Sequence, residues 1–187
     1  MPSRLVSIAI AIAICAGPVF AVIQRTPPLK DVIGAESSIF VAKVESVDWH
    51  AATMSLLVSD EMKGKAPYRH KIVSLAGDAE AQKSKQSTQL LERLAPNIEL
   101  VIFSSIRSTR TTMFAFTNGT WFQMTAQSRA DESATVKFTH FEPYLRRTFK
   151  GSTADLKQIV ADALSGKKDP PPPDMKEPPG IGPPVKK

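Results

Sequence analysis

The side chains best suited to acid–base or metal chemistry near neutral pH are those of histidine, and the sequence contains His50, His70 and His140. They lie far apart and form no H-x-x-x-H, H-E-x-x-H or paired Cys/His pattern, so their spacing predicts no metal site. His140 and Glu142 are two residues apart and would share one face of an extended strand, where they could act as an acid–base pair. A structural salt link at the end of a strand accounts for the same spacing, and we favour it.

Other signatures of catalysis or cofactor binding are missing from the sequence. No G-x-S-x-G elbow occurs, and no glycine-rich phosphate loop follows a predicted strand. The single cysteine, Cys15, lies in the N-terminal segment, so we expect neither disulfides nor thiol chemistry in the folded domain. The sequence therefore favours a non-catalytic protein without cofactor or metal. An exported enzyme that uses His140 and Glu142 is the alternative.

Basic side chains are concentrated in two segments, and these supply the candidate binding residues. The loop after the second predicted strand contains Lys63, Lys65, Arg69 and Lys71, and the segment EPYLRRTFKG at 142–151 contains Arg146, Arg147 and Lys150. Together they could form a cationic face for a protein or an anionic polymer of the cell envelope. The same arginines could instead pack their aliphatic stems on the core and keep their charged ends in water.

The overall charge limits the kind of partner. A net charge of +6 in 187 residues is a mild excess that permits weak attraction to anionic surfaces. It does not mark a nucleic-acid-binding protein, and export argues further against such a partner. We therefore expect a protein or an anionic polymer, and no nucleic acid.

The elements that must position these residues are organised around a predicted hairpin at 111–126, TTMFAFTNGTWFQMTA. Asn118-Gly119 is typical of a two-residue turn in which both residues take positive φ. This turn places Phe116 opposite Trp121 and Ala115 opposite Phe122. One face then carries Phe114, Phe116 and Trp121, and the other carries Met113, Ala115, Phe122 and Met124. We expect one face to fill the core and the other to lie under a C-terminal helix; an exposed aromatic platform is the alternative.

Alternating apolar residues predict further strands at 38–49, 53–59, 70–75, 98–105 and 134–141, the last of them at a sheet edge. Helices are predicted in the second half of 79–95 and after Ser152, where a capping-box pattern precedes an apolar stripe at 156–164. The order of three strands, a helix and two strands, with a sixth strand allowed, is that of the OB-fold. We therefore predict a mainly β domain with α elements, an OB-like β-barrel, at 31–166.

The two ends of the sequence are expected to lie outside this domain. Residues 1–21 have the basic start, short apolar run and small-residue end of a signal peptide, which predicts a secreted, periplasmic or envelope protein. The alternative is an uncleaved anchor at 5–23, which would tether the chain to a membrane. Residues 22–30 are predicted to be a linker. Residues 167–187 contain eight prolines and are predicted to be a disordered, PPII-rich tail.

Two resemblances follow from these segments. DVIGAESSIFVAKVESVD at 31–48 and LLVSDEMKGKAP at 56–67 resemble the opening of the netrin-module and tissue-metalloproteinase-inhibitor group, which implies an OB-like barrel. Inhibitors of that group chelate zinc through an N-terminal cysteine, which this sequence lacks after Cys15, so inhibition is not implied. The whole chain also resembles bacterial exported proteins that share the NGTWFQ hairpin, the EPYLRRTFKG segment and a proline-rich end, and that resemblance implies no particular activity.

Overall fold

The computed structural model describes residues 26–107, 109–128 and 131–185, and the predicted signal segment 1–21 lies outside these ranges. Within them lie seven strands, four helices and a 3₁₀ turn. The strands are β1 (Ser38–Asp48), β2 (Thr53–Lys63), β3 (His70–Ser74), β4 (Glu99–Arg107), β5 (Arg110–Thr117), β6 (Thr120–Ala126) and β7 (Val136–Phe141). The helices are α1 (Leu29–Ala35), α2 (Ala79–Lys83), α3 (Gln86–Leu91) and α4 (Thr153–Leu164), with a 3₁₀ turn at Pro143–Arg146.

The strands form a closed barrel in the order β1-β2-β3-β7-β6-β5-β4. This confirms the predicted mainly β, OB-like barrel. The seven strands match the five predicted strand segments and the two arms of the predicted hairpin, whereas the OB-fold order, with five strands and a sixth allowed, accounts for one fewer. The strand predicted at an edge, β7, has a neighbour on each side: it pairs antiparallel with β6 and parallel with β3 through Val73–Val136 and Ser74–Lys137. Because this parallel pair closes the barrel, the sheet has no free edge at β7.

The hairpin at the centre of the sequence prediction is confirmed. Phe116 pairs with Trp121 and Ala115 with Phe122, and the turn residues Asn118 and Gly119 have φ of 41° and 79°. The backbone N–H of Asn118 donates to Thr153 Oγ1 at 3.0 Å, which ties the turn to the first residue of α4. The hairpin and the C-terminal helix are therefore fixed to each other at this end of the barrel.

The two faces of the hairpin belong to two separate cores. Met113, Ala115, Phe122 and Met124 lie in the barrel interior, as part of one continuous apolar cluster. Phe116 and Trp121 lie outside the barrel, in a second cluster that we call the outer core. It also contains Leu156 and Val160 of α4 and three residues of α1 (Leu29, Val32 and Ile33). Phe116 is 0% exposed and Trp121 is 1% exposed, so these two aromatic residues form a covered core rather than an open platform; Phe114 on the same face is partly buried against it.

The helical parts differ from prediction in two places. α1 starts at Leu29, within the predicted linker, because its apolar side chains complete the outer core. The predicted helix in 79–95 is instead two short helices, and Lys85 between them has a left-handed φ of 59°. α4 begins as predicted, with both reciprocal bonds of the Ser152–Asp155 capping box present. Across the three described ranges, no helix combines the length and apolarity needed to span a bilayer.

The proline-rich end, predicted to be disordered, lies along the domain. We call residues 167–185 the C-terminal strap. Beyond the end of α4, N–H groups of the strap donate to domain carbonyls along its length: Asp174 to Arg147 (2.8 Å), Gly180 to Pro143 (3.1 Å) and Val185 to Glu92 (2.9 Å). Ile181 packs against the interior cluster of the barrel. A proline-rich composition indicates a segment that cannot form a core of its own. Proline also limits the conformations of the free chain, which lowers the entropic cost of lying extended on another surface.

Candidate functional site

Three of the predicted binding residues lie together on a segment that packs against the outer core. We call Arg146, Arg147 and Lys150 the cation cluster. Trp121 Nε1 donates to the carbonyl of Phe149 at 2.8 Å, and the Phe149 ring lies 5.4 Å from that of Phe116. Thr148 Oγ1 donates to Pro27 O at 2.8 Å. The outer core thus holds the backbone of the cluster in place before any partner arrives, which reduces the entropic cost of binding.

The cation cluster is occupied by acidic residues of the C-terminal strap. Arg146 Nε donates to Glu177 Oε1 at 2.7 Å, and Lys150 Nζ donates to Glu177 Oε2 at 2.6 Å. Arg147 Nε donates to the backbone carbonyl of Glu177 at 2.8 Å, and Lys150 also contacts Asp174 at 3.1 Å. All three cations therefore contact one glutamate, two through its carboxylate and one through its main chain.

The charges of the cluster and the strap perturb each other. The hydrogen bond from Lys150, followed by that from Arg146, holds the pKa of Glu177 below its usual range. Lys150 likewise lowers the pKa of Asp174, with help from the backbone N–H of Lys176. The same contacts, chiefly that with Glu177, raise the pKa of Lys150. The ionised forms of the acids and of Lys150 are thus stabilised when the strap is docked.

Acidification should release the strap before the barrel unfolds. Because the pKa values of Glu177 and Asp174 are lowered in the docked state, their contribution to docking is complete above the ordinary carboxyl pKa of about 4 and is lost as the pH falls through the lowered values. We expect the methyl NMR signals of Ile181 to move towards random-coil positions over that interval, while those of the buried Val101 keep their shifts.

The matched control for this titration is Glu177→Gln, which keeps the shape of the side chain but removes its charge. Its Ile181 signals should start closer to random-coil positions and change less with pH, because only Asp174 of the pair still titrates. Identical titration curves for the two proteins would show that the Glu177 contacts do not hold the strap.

The four remaining predicted residues do not join the cation cluster. Lys63 Nζ donates to the carbonyls of Ile33 (2.7 Å) and Gly34 (3.1 Å) at the end of α1. The other end of α1 is near the cluster, where Pro27 accepts from Thr148. α1 is seven residues long, so the two groups are separated by about 10 Å of helix and do not form the single cationic face considered from sequence.

Within the Lys63–Lys71 loop, the cations are engaged locally or directed to solvent. Lys71 is only 5% exposed, and its Nζ donates to the carbonyls of Asp131 (2.7 Å) and Glu132 (2.8 Å). Lys65 forms an ion pair with Glu61 at 2.7 Å, and Arg69 is exposed. Lys71 thus fastens β3 to the loop that contains Asp131 and Glu132, and its role here is structural.

The predicted contact between His140 and Glu142 is present, but it is closed to solvent. His140 Nε2 lies 2.9 Å from Glu142 Oε1, as the spacing predicted. His140 is 7% exposed and Glu142 0%, and the backbone N–H of Glu142 donates to Trp121 O at 3.0 Å. A substrate could reach these groups only after part of the barrel wall moved, which favours a structural role.

A cluster not predicted from the sequence joins Ser55, His70 and Glu45 on the outer face of β1–β3. His70 Nε2 lies 2.8 Å from Ser55 Oγ and 2.8 Å from Glu45 Oε2. A nucleophilic triad requires the serine and the carboxylate on opposite ring nitrogens, whereas here both contact the same one. The cluster therefore cannot relay a proton from serine to carboxylate through the ring. Within the described ranges, no three His, Cys, Asp or Glu side chains are grouped to hold a metal ion.

Comparison of the chain with protein-family models, with curated proteins and with solved structures finds no match. The two resemblances noted in the sequence therefore remain predictions. The residues that sequence reasoning missed are Asp174 and Glu177. Their signal was present, since two acids three residues apart interrupt the proline runs, but nothing in the sequence indicated where the strap lies.

Proposed function

We propose that this chain is an exported, non-catalytic binding or scaffolding domain that contacts a carboxylate-bearing partner through Arg146, Arg147 and Lys150. The observation that carries the proposal is the Glu177 carboxylate, which accepts hydrogen bonds from Arg146 at 2.7 Å and from Lys150 at 2.6 Å. Charge-assisted bonds of this length are about twice as strong as neutral ones, and they support a partner that presents carboxylates to the cluster.

Partial burial of the cluster supports binding over simple solvation. The side chain of Arg146 is 23% exposed and that of Glu177 is 15% exposed, so their contact is screened less than that of a fully exposed pair. Arg147 also lies over the Tyr144 ring, with its guanidinium carbon 5.7 Å from the ring centre. The partner would be a protein or an anionic polymer of the cell envelope, and export is proposed from the signal-like residues 1–21.

Charge reversal in the cluster tests the proposal. In a full-length chain whose strap acids are neutralised (Asp174→Asn/Glu177→Gln), Arg146→Glu/Arg147→Glu should weaken binding to poly-L-glutamate at least tenfold at low salt. Binding of the parent should also fall steeply with added salt, because the contacts are ionic. Titration calorimetry or fluorescence anisotropy measures both effects.

The matched control is Lys43→Glu/Lys137→Glu, which changes the net charge by the same amount at two exposed barrel positions. Its binding should fall much less than that of the cluster variant. Equal losses for the two variants would show that net charge, and not this site, governs association, and the proposal would be withdrawn.

A further inference from the structure

We infer that the surface beneath the C-terminal strap is a docking site for an extended, acidic, proline-rich segment of another polypeptide, and that the strap occupies this site in cis. The inference rests on the proposed function, because the same three cations make the ionic contacts. It goes further by naming the partner as a polypeptide and by adding a competitor within the chain.

The backbone contacts of the strap favour a polypeptide over another anionic polymer. The N–H group of Asp174 donates to Arg147 O, and that of Gly180 donates to Pro143 O. Both carbonyls lie in the segment 142–151 that carries the cation cluster. In the opposite direction, Arg93 Nε donates to Gly182 O at 2.7 Å, and Arg147 Nε donates to Glu177 O. Donors and acceptors alternate along the surface as they do along an extended peptide, which is the pattern of main-chain recognition.

The surface also selects side chains along the segment. Asp174 forms an ion pair with Lys150, and Glu177, three residues later, forms one with Arg146. The apolar Ile181 packs against the interior cluster of the barrel. A Cβ atom at Gly182 would lie 2.5 Å from Asn118 O and 2.5 Å from Thr120 Oγ1, so only glycine fits against the hairpin turn. The recognised pattern is therefore an Asp-x-x-Glu pair followed by prolines, an aliphatic residue and a glycine.

Loose packing makes the strap displaceable. Open clefts of about 480 Å³ beside α4 and about 190 Å³ beside Arg147 lie between the strap and the domain. Lys150 and Asp174 are 45% and 48% exposed, so their ion pair is open to competing solvent and ligands. Incomplete packing and screened charges both lower the free energy that holds the strap.

The short tether sets how strongly the strap competes. Asp174 follows the end of α4 by ten residues, and a segment tethered so closely has an effective concentration on the order of millimolar. If the strap is docked in about nine molecules of ten, a partner with the same contacts binds about tenfold more weakly than it would to an open site. Weakening the strap should restore that affinity.

The test uses a fluorescent synthetic peptide with the sequence of residues 170–185, PPPPDMKEPPGIGPPV, and full-length protein. Two variants weaken the strap by unrelated means and leave the barrel and its cations unchanged: Asp174→Asn/Glu177→Gln removes the ionic contacts, and Gly182→Val creates the clash with the hairpin turn. Each should bind the peptide more tightly than the wild-type chain by fluorescence anisotropy, by up to about tenfold when the strap is fully released. Circular dichroism establishes that each variant is folded, and either one suffices.

Two altered peptides provide the specificity control. A peptide with Glu177→Gln should lose most of its binding, because the carboxylate contacts of Arg146 and Lys150 are removed. A peptide with Lys176→Ala should bind like the parent, because Lys176 is exposed in the docked strap. Equal binding of these two peptides would overturn the inference.

The remaining outcomes separate this inference from the proposed function. Equal peptide binding by the wild-type chain and both variants would show that the strap is no competitor, and would overturn the inference. Variants that bind poly-L-glutamate but not the peptide would also overturn it, while the proposed function stood. Variants that bind neither probe would overturn both.

Discussion

Replacing Trp121 with alanine is expected to lower the free energy of unfolding by about 3–5 kcal/mol, the range found when large aromatic residues are removed from protein cores. Trp121 is 1% exposed and lies between the barrel wall and α4. Its ring lies 4.9 Å from that of Phe116 and 5.7 Å from that of Phe103. The substitution would leave a cavity at the centre of the outer core. Urea denaturation followed by circular dichroism measures the loss.

Trp49→Ala is the matched control, because it makes the same chemical change at a side chain that is 45% exposed. Surface substitutions usually change stability by no more than about 0.5 kcal/mol. Comparable losses for Trp121→Ala and Trp49→Ala would contradict the assignment of the outer face as a core and would revive the exposed aromatic platform.

Trp121→Phe separates the packing of the ring in the outer core from its hydrogen bond to the segment that carries the cation cluster. It keeps most of the ring contacts but removes the Nε1–H bond to Phe149 O, and a net loss of about 1 kcal/mol is expected. Phe149 directly precedes Lys150, so the loss of this bond should also loosen the cation cluster. In the strap-neutralised background, binding of poly-L-glutamate should weaken more for Trp121→Phe than for Trp49→Phe.

The hairpin and its two cores could be predicted because their signals are local. Asn118-Gly119 specifies the turn, the turn specifies the register, and the period of two assigns each side chain to a face. The apolar stripe of α4 then indicates that the outer face needs a cover. Each of these steps uses residues close in sequence, where propensity and pattern agree.

Closure of the barrel could not be predicted in the same way. β3 and β7 are joined by only two residue pairs, Val73–Val136 and Ser74–Lys137, across more than 60 residues of sequence. A parallel pair this short leaves no periodic pattern in either strand, so the sequence predicts an edge strand at β7. Non-local pairing of this kind depends on how all the other strands twist and stagger.

The candidate site was predicted in part, for a related reason. The sequence shows that cations are dense around Arg146 and Arg147, but it does not show which acidic residues contact them. Glu177 follows Arg146 by 31 residues, and a proline-rich composition states only that a segment has no core of its own. Whether an extended segment finds a complementary surface is decided by the folded domain, which a local pattern does not describe.

Replacing His140 with alanine is expected to lower the free energy of unfolding by about 3 kcal/mol, with the lost hydrogen bond and the new cavity contributing together. His140 Nε2 lies 2.9 Å from Glu142 Oε1, and both residues are buried. A polar group that loses a buried partner cannot recover the bond with water, so the cost exceeds that of an exposed hydrogen bond. Thermal and urea unfolding measure the change.

Glu142→Gln is the conservative partner in this experiment. The amide has nearly the shape of the carboxyl group and still offers an oxygen to the imidazole, so we expect a loss below about 1 kcal/mol. A structural pair thus predicts that His140→Ala costs much more stability than Glu142→Gln, while the folded fraction of each variant binds poly-L-glutamate like its parent. If the two residues were instead the acid–base pair of an enzyme, Glu142→Gln would remove a charge that the reaction needs. Its main effect would then be on activity and not on stability. Stability that was unaffected by His140→Ala would therefore remove the structural explanation and return His140 and Glu142 to consideration as catalytic groups.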